Sequence, residues 1–184
     1  DRALPVVRML PGENRRERVL SPDEEARYLK AATEIGDGIV RAYDRALEGI
    51  RATKRGEEPI VPRDPYLLRD LATILMECAL RPEEAYRMRW TEVRDGSLHV
   101  AHGKTENARR VIPIPPRAAA VLSMRQSVNS GEWVFPAPTR TGHIEQSSIK
   151  RQHAQACKKA GIEHFVPYTF RHTCLTRWAS VMDP

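Results

Sequence analysis

Apolar positions recur along the chain with two periods. Leu67, Leu68, Leu71, Ile74, Leu75 and Cys78 fall at i, i+1, i+4, i+7, i+8 and i+11, one stripe at the spacing of an α-helix. That helix ends near Ala79-Leu80-Arg81-Pro82. Pro82 cannot continue it but suits the first turn of a following helix, Glu83 to about Met88. Upstream, Ser21-Pro22-Asp23-Glu24 is a helix start: Ser21 caps, Pro22 takes the first helical position and Glu24 completes a capping box. This first helix is expected to run to about Thr33. Gly36-Asp37-Gly38 is expected to interrupt it, with a second helix from Ile39 to about Arg55. Gly56 to Pro65, with three prolines, reads as a loop.

Beyond Met88 the period shortens. Trp90 to Val93, Ser97 to Ala101 and Arg109 to Ile114 read as short strands, with Asp95-Gly96 and Gly103-Lys104 as the turns between them. Helical patterns return at Arg117 to Arg125, at Ser147 to Ala160 with Gly161 as C-cap, and at Tyr168 to about Val181. Trp133-Val134-Phe135 is a short buried piece before Pro136. The fold class is therefore mainly α with a small antiparallel β-sheet (α+β). Residues 1–19 carry Pro5, Pro11, Gly12 and a charged run without a period, so they read as a linker or arm. Residues 20–184 form the one domain, and no internal repeat interrupts them.

Composition narrows the class. The chain has 184 residues, enough for one domain with its own core. No run of about 18 apolar residues exists to span a bilayer, and no apolar segment follows the start as in a secretory signal. The three cysteines, Cys78, Cys157 and Cys174, make no disulfide framework, which points to a reducing, cytoplasmic setting. Net charge is +6, and it is uneven: residues 101–184 hold 12 Lys and Arg against five Asp and Glu. A basic half of this kind suits a polyanion, whose counterions it releases, or is simply a solvated face.

Three cations stand out by their company. Arg81 follows Cys78-Ala79-Leu80 at the end of the apolar helix, and Arg171 lies within Tyr168-Thr169-Phe170-Arg171-His172-Thr173. A partly desolvated guanidinium needs an anion. For Arg81 that is either Glu84, three residues on, or a phosphate that both arginines neutralise with two-pronged hydrogen bonds. Lys104 at its turn is either solvated or a proton donor at a hairpin tip. Arg109 and Arg110, adjacent on one strand, should point to opposite faces. His153 and Cys157 have a helical ligand spacing, but no second pair completes a metal site, and core or surface roles are the better reading. No phosphate-binding loop, dinucleotide glycine pattern or serine elbow is present.

These residues together resemble the catalytic domain of the tyrosine recombinase (phage integrase) family. Arg18-Val19-Leu20-Ser21-Pro22-Asp23-Glu24-Glu25 is similar to the domain's opening. Cys78 to Ala85, continuing to Met88-Arg89-Trp90, is similar to the first box, with Arg81 as its catalytic arginine. His102-Gly103-Lys104-Thr105, followed by Arg109 to Ile114, resembles the hairpin with the catalytic lysine. Tyr168 to Thr173 resembles the second box, with Arg171 as the second arginine. Tyr168 stands where that box usually has His, and a phenol's high reference pKa makes it a poorer base.

The resemblance implies metal-free, cofactor-free strand exchange on double-stranded DNA through a 3′-phosphotyrosine. In that scheme Arg81 and Arg171 stabilise the phosphate transition state, and Lys104 protonates the leaving 5′-oxygen. Tyr168 lines the site, while Glu84 and His172 support it from behind. Arg109, Arg110, Arg140, Lys150 and Arg151 are the expected DNA-binding residues, with Gln146 or Arg151 able to read bases from a groove. The family's nucleophilic tyrosine is expected roughly twenty to thirty-odd residues beyond Arg171, so this chain reads as a fragment lacking the nucleophile and the amino-terminal core-binding domain. A homotetramer on DNA and a bacterial or phage origin are further implications. The alternatives are a non-catalytic DNA-binding protein on the same scaffold, and a basic helical module for RNA or protein partners.

Overall fold

The computed structural model describes residues 18–53, 64–101 and 109–181. Six α-helices and one three-stranded sheet are found among them: α1 (Pro22–Thr53), α2 (Leu67–Cys78), α3 (Pro82–Tyr86), β1 (Val93–Arg94), β2 (Ser97–Val100), β3 (Arg110–Pro113), α4 (Pro116–Val128), α5 (Gln146–Ala160) and α6 (Tyr168–Val181). The expected fold class is the one observed.

Helix α2 is the hub. Leu68, Leu71, Ile74, Leu75 and Met76 are fully buried, and α1, α4, α5 and α6 all pack on it. Burial of Leu- and Ile-sized side chains stabilises by about 2 kcal/mol each, so this helix supplies much of the driving force. It stops at Ala79, whose left-handed φ of 48° ends the helical path and turns the chain into Leu80-Arg81.

Helix α1 corrects one expectation. It begins at the expected capping box, in which the Ser21 N–H donates to Glu24 Oε2 (3.0 Å) and the Glu24 N–H to Ser21 Oγ (3.1 Å). It then continues unbroken through Gly36-Asp37-Gly38 to Thr53. Gly36 is there for space: a Cβ would lie 2.5 Å from Tyr66 Cδ1 and 2.8 Å from the Pro65 carbonyl oxygen. Asp37 accepts a hydrogen bond from Tyr66 Oη at 2.8 Å. The glycine thus admits the turn before α2 against the helix.

The sheet has the order β1-β2-β3, antiparallel throughout, with Leu98 opposite Ile112 and Val100 opposite Arg110. Leu98, Val100 and Ile112 point into the core. The first strand is shorter than the pattern suggested. Trp90–Glu92 is a 3₁₀ turn, closed by the Arg89 N–H on Glu92 Oε2 (2.9 Å), and only Val93–Arg94 pairs as a strand. Likewise α3 ends at Tyr86, two residues early, because Met88 turns inward and accepts the Val134 N–H at 2.9 Å. Val134 and Phe135 are buried as expected. The readings of the amino-terminal arm and the Gly103-Lys104 turn lie outside the described residues, as does most of the Gly56–Pro65 loop.

Candidate active site

The site is assembled where α2 ends and α6 begins. Because α2 terminates at Ala79, Arg81 emerges at the head of α3 with Pro82 in the first helical position. Glu84, at the third, reaches back: its Oε2 accepts the Arg81 backbone N–H at 2.8 Å and its Oε1 accepts Arg81 Nη1 at 2.9 Å. The Arg81 side chain remains 47% exposed while the Glu84 side chain is only 8% exposed, so the cation keeps a free outer face over a buried anchor.

The anchor has a second partner. Arg110 from β3 donates to both Glu84 oxygens, Nη1 to Oε1 at 3.1 Å and Nη2 to Oε2 at 2.7 Å. Burial pushes the Glu84 carboxyl up, but the hydrogen bonds from Arg110 and from the Arg81 backbone and side chain outweigh it. The group is held below its usual value. The hydrogen bond that Arg81 donates to Glu84 in turn raises Arg81, with smaller contributions from nearby Tyr168.

Helix α6 brings the second set. Tyr168, Arg171 and His172 share one face of its first turns, at i, i+3 and i+4, while Thr169, Phe170, Thr173 and Cys174 are buried behind them. Tyr168 lies beside Arg81, and its ring meets His172 edge-on with centroids 5.0 Å apart. Arg171 Nη1 donates to the Ala79 carbonyl, the residue that ends α2. Its buried Nε has no hydrogen-bond partner, and no carboxylate pairs with its charge among the described residues. So Arg81, Glu84, Tyr168, Arg171 and His172 form one cluster, drawn from segments almost ninety positions apart.

The remaining sequence-derived residues fall differently. Lys104 lies outside the described residues. Arg109, just before β3, is exposed. Arg140 is exposed in the turn before α5, and Lys150 and Arg151 are exposed on the first turns of α5. His153 and Cys157 do not face a ligand space. Tyr28 Oη and the Phe165 carbonyl occupy the two ring nitrogens of His153, at 2.6 and 2.7 Å. Burial pushes the Cys78 thiol up to about 12 and the Cys174 thiol up to about 11, so neither is a thiolate at neutral pH.

Sequence reasoning missed the Arg110–Glu84 pairing. The available signal was alternation: if Arg109 is outward, Arg110 points at the core and needs a buried acid. It also missed Glu25, a buried carboxylate that accepts Arg117 Nη1 at 2.6 Å and Arg177 Nη2, tying α1 to α4 and α6.

No match was found among curated proteins. Among solved structures, the XerA recombinase is similar at 19% identity and a TM-score of 0.60, over 90% of this chain and 52% of that one. A lambda integrase dimer bound to a COC′ core site is similar at 17% identity and 0.60, over 90% and 53%. The Tn1549 transposon integrase in complex with circular intermediate DNA is similar at 15% identity and 0.62, over 95% and 57%. The chain therefore spans about half the length of these recombinases, and shares their fold. The sequence pattern described as the phage integrase family matches residues 57–181, from the approach to α2 through the last residue of α6. The cluster of two arginines thus sits inside the matched region, and the chain belongs to the phage integrase family.

Proposed function

We propose that this chain is the catalytic part of a site-specific recombinase that breaks and rejoins duplex DNA. Arg81 and Arg171 clamp the scissile phosphate, and Lys104 protonates the leaving 5′-oxygen. Tyr168 lines the phosphate site, Glu84 orients Arg81, and His172 orients Tyr168. Arg109, Arg140, Lys150 and Arg151 contact the DNA backbone along the exposed sheet and α5 faces, and Gln146 or Arg151 reads base edges. Neither metal nor cofactor is needed, because two guanidinium groups and an ammonium supply the charge that a metal would.

The observation that carries this reading is Arg171. A half-buried cation that meets no carboxylate among the described residues calls for an anion from outside the protein. Arg81, with its free outer face beside Tyr168, offers the second half of the grip.

The attacking tyrosine is not among those described. The Tyr28 phenol is buried against His153, and burial pushes Tyr86 up to about 12. Tyr66 is held on Asp37, Tyr43 lies farther along α1, and Tyr168 is a neighbour of Arg81. In this reading the attacking tyrosine is none of these five, and this stretch alone is expected to form no covalent adduct.

A nicked suicide duplex tests the proposal. The intact polypeptide is expected to form a 3′-phosphotyrosyl adduct that Arg81→Ala abolishes, with the modified peptide mapping outside residues 1–184. An adduct on Tyr168 would overturn the assignment of the nucleophile. Tight duplex binding with no adduct at any length would favour a DNA-binding protein without catalysis.

A further inference from the structure

We propose that Arg110 is a positioning residue: through Glu84 it docks the start of β3 onto the Arg81 turn, and so holds Arg81 where it meets the phosphate. This replaces the reading of Arg110 as a phosphate contact, and it rests on the function proposed above.

Register and alternation put Arg110 on the inner side of the sheet. It pairs across with Val100, which is buried, and shares its face with Ile112, whereas Val111 is outward and exposed and Arg109, just before β3, is exposed. From there the guanidinium meets Glu84 in a two-pronged, parallel pairing, the geometry that best fixes orientation. The same carboxylate already holds Arg81 by its backbone N–H and its side chain. One buried anion therefore takes four hydrogen bonds, two from the head of α3 and two from the start of β3. The Arg81 turn and the start of β3 are thereby fastened to a single point. An acid–cation pair built this way does little for DNA affinity, because a guanidinium committed to Glu84 releases no counterion from a phosphate.

Two arginines on neighbouring positions give the test an internal contrast. Duplex affinity is measured against salt for the intact protein and for Arg109→Ala, Arg110→Ala and Arg110→Lys. Adduct formation on the suicide duplex is measured at saturating DNA. Arg109→Ala should weaken binding and lower the salt slope by about one. Arg110→Ala should leave the slope as it is and slow adduct formation about tenfold or more, as expected when a catalytic group is displaced. Arg110→Lys, which keeps the charge but one prong at most, should recover only part of that rate. Adding Glu84→Gln to Arg110→Ala should slow the reaction little beyond the slower single variant, since both break one joint.

Hydrogen exchange without DNA gives a readout independent of function. Arg110→Ala should speed exchange in β2, β3 and the first turn of α3 while α2 and α5 keep their protection. If Arg110→Ala lowers the salt slope by about one, leaves the saturated rate unchanged and leaves exchange in β2 and β3 unchanged, the positioning role is wrong. If the unmodified protein does not bind duplex DNA, the proposed function fails, and the exchange comparison alone decides whether Arg110 docks β3.

Discussion

At the level of single residues, the chemistry of a side chain is decided by partners far away in sequence. His153 shows this most plainly. Its spacing from Cys157 reads equally as a ligand pair or as two positions on a buried face, and only the fold separates these. In the structure its Nδ1 accepts from Tyr28 Oη and its Nε2–H donates to the Phe165 carbonyl, which fixes one neutral tautomer. Burial lowers the His153 pKa, His164 nearby lowers it further, and the Phe165 hydrogen bond offsets part of this. The folded value therefore lies below that of the unfolded chain, so protonation favours unfolding. Stability is complete above the unfolded value of about 6.5 and is lost as pH falls below it toward the folded value. Urea denaturation at pH 7.5 and 5.5 is expected to show a lower midpoint at the acid value, and His153→Gln is expected to be less stable at pH 7.5 but to vary less between the two. A midpoint that rises on acidification would contradict the assignment. The pairing of Arg81 with Glu84, by contrast, was legible from sequence, because a charge beside an apolar helix end needs a partner within a turn of it.

At the level of elements, periodicity located α2, α5 and α6 to within a residue or so, since each buries one continuous stripe. It failed at α1, where Gly36-Asp37-Gly38 has the composition of a break but lies within a helix of 32 residues. What the sequence could not display is that Tyr66, thirty positions on, packs where a Cβ would be. The two glycines accordingly predict opposite outcomes. Gly36→Ala places a methyl into Tyr66 and the Pro65 carbonyl, and is expected to cost about 2 kcal/mol or more, since backbone cannot yield as a side-chain tip can. Gly38→Ala meets no atom within 4 Å and should stabilise by about 0.5–1 kcal/mol through helix propensity. Thermal or urea midpoints of both variants are the measurement. If both stabilise, the close approach at Gly36 is not real; if both destabilise, α1 does not run through this segment.

At the level of the whole molecule, the excess positive charge of the second half is partly internal. Arg117 and Arg177 serve Glu25, with Arg117 also reaching Glu77. Arg125, 5% exposed, donates to Asp70 at 3.0 Å, to Asp64 at 2.6 Å and to the Val134 carbonyl at 3.1 Å, and stacks over Phe135. Net charge counts could not reveal this, because a count records sign and not depth. The consequence is that one arginine fastens α4 to α2, to the turn before α2 and to the strand-like piece that seats Met88. Arg125→Met keeps the volume but leaves the 2%-exposed Asp70 with Arg69 alone and the Val134 carbonyl without its donor. Breaking a buried pair from one side costs about 3 kcal/mol, whereas replacing both charges by apolar groups is often close to neutral. Arg125→Met is therefore expected to lower stability by about that amount, and Arg125→Met with Asp70→Leu to cost less than the two single changes added, by about 1 kcal/mol or more. Both are read by denaturant titration with unchanged slope. Strict additivity would mean that Arg125 acts through Asp64 and Val134 rather than through Asp70, and would move the joint between α4 and α2 to the turn that precedes α2.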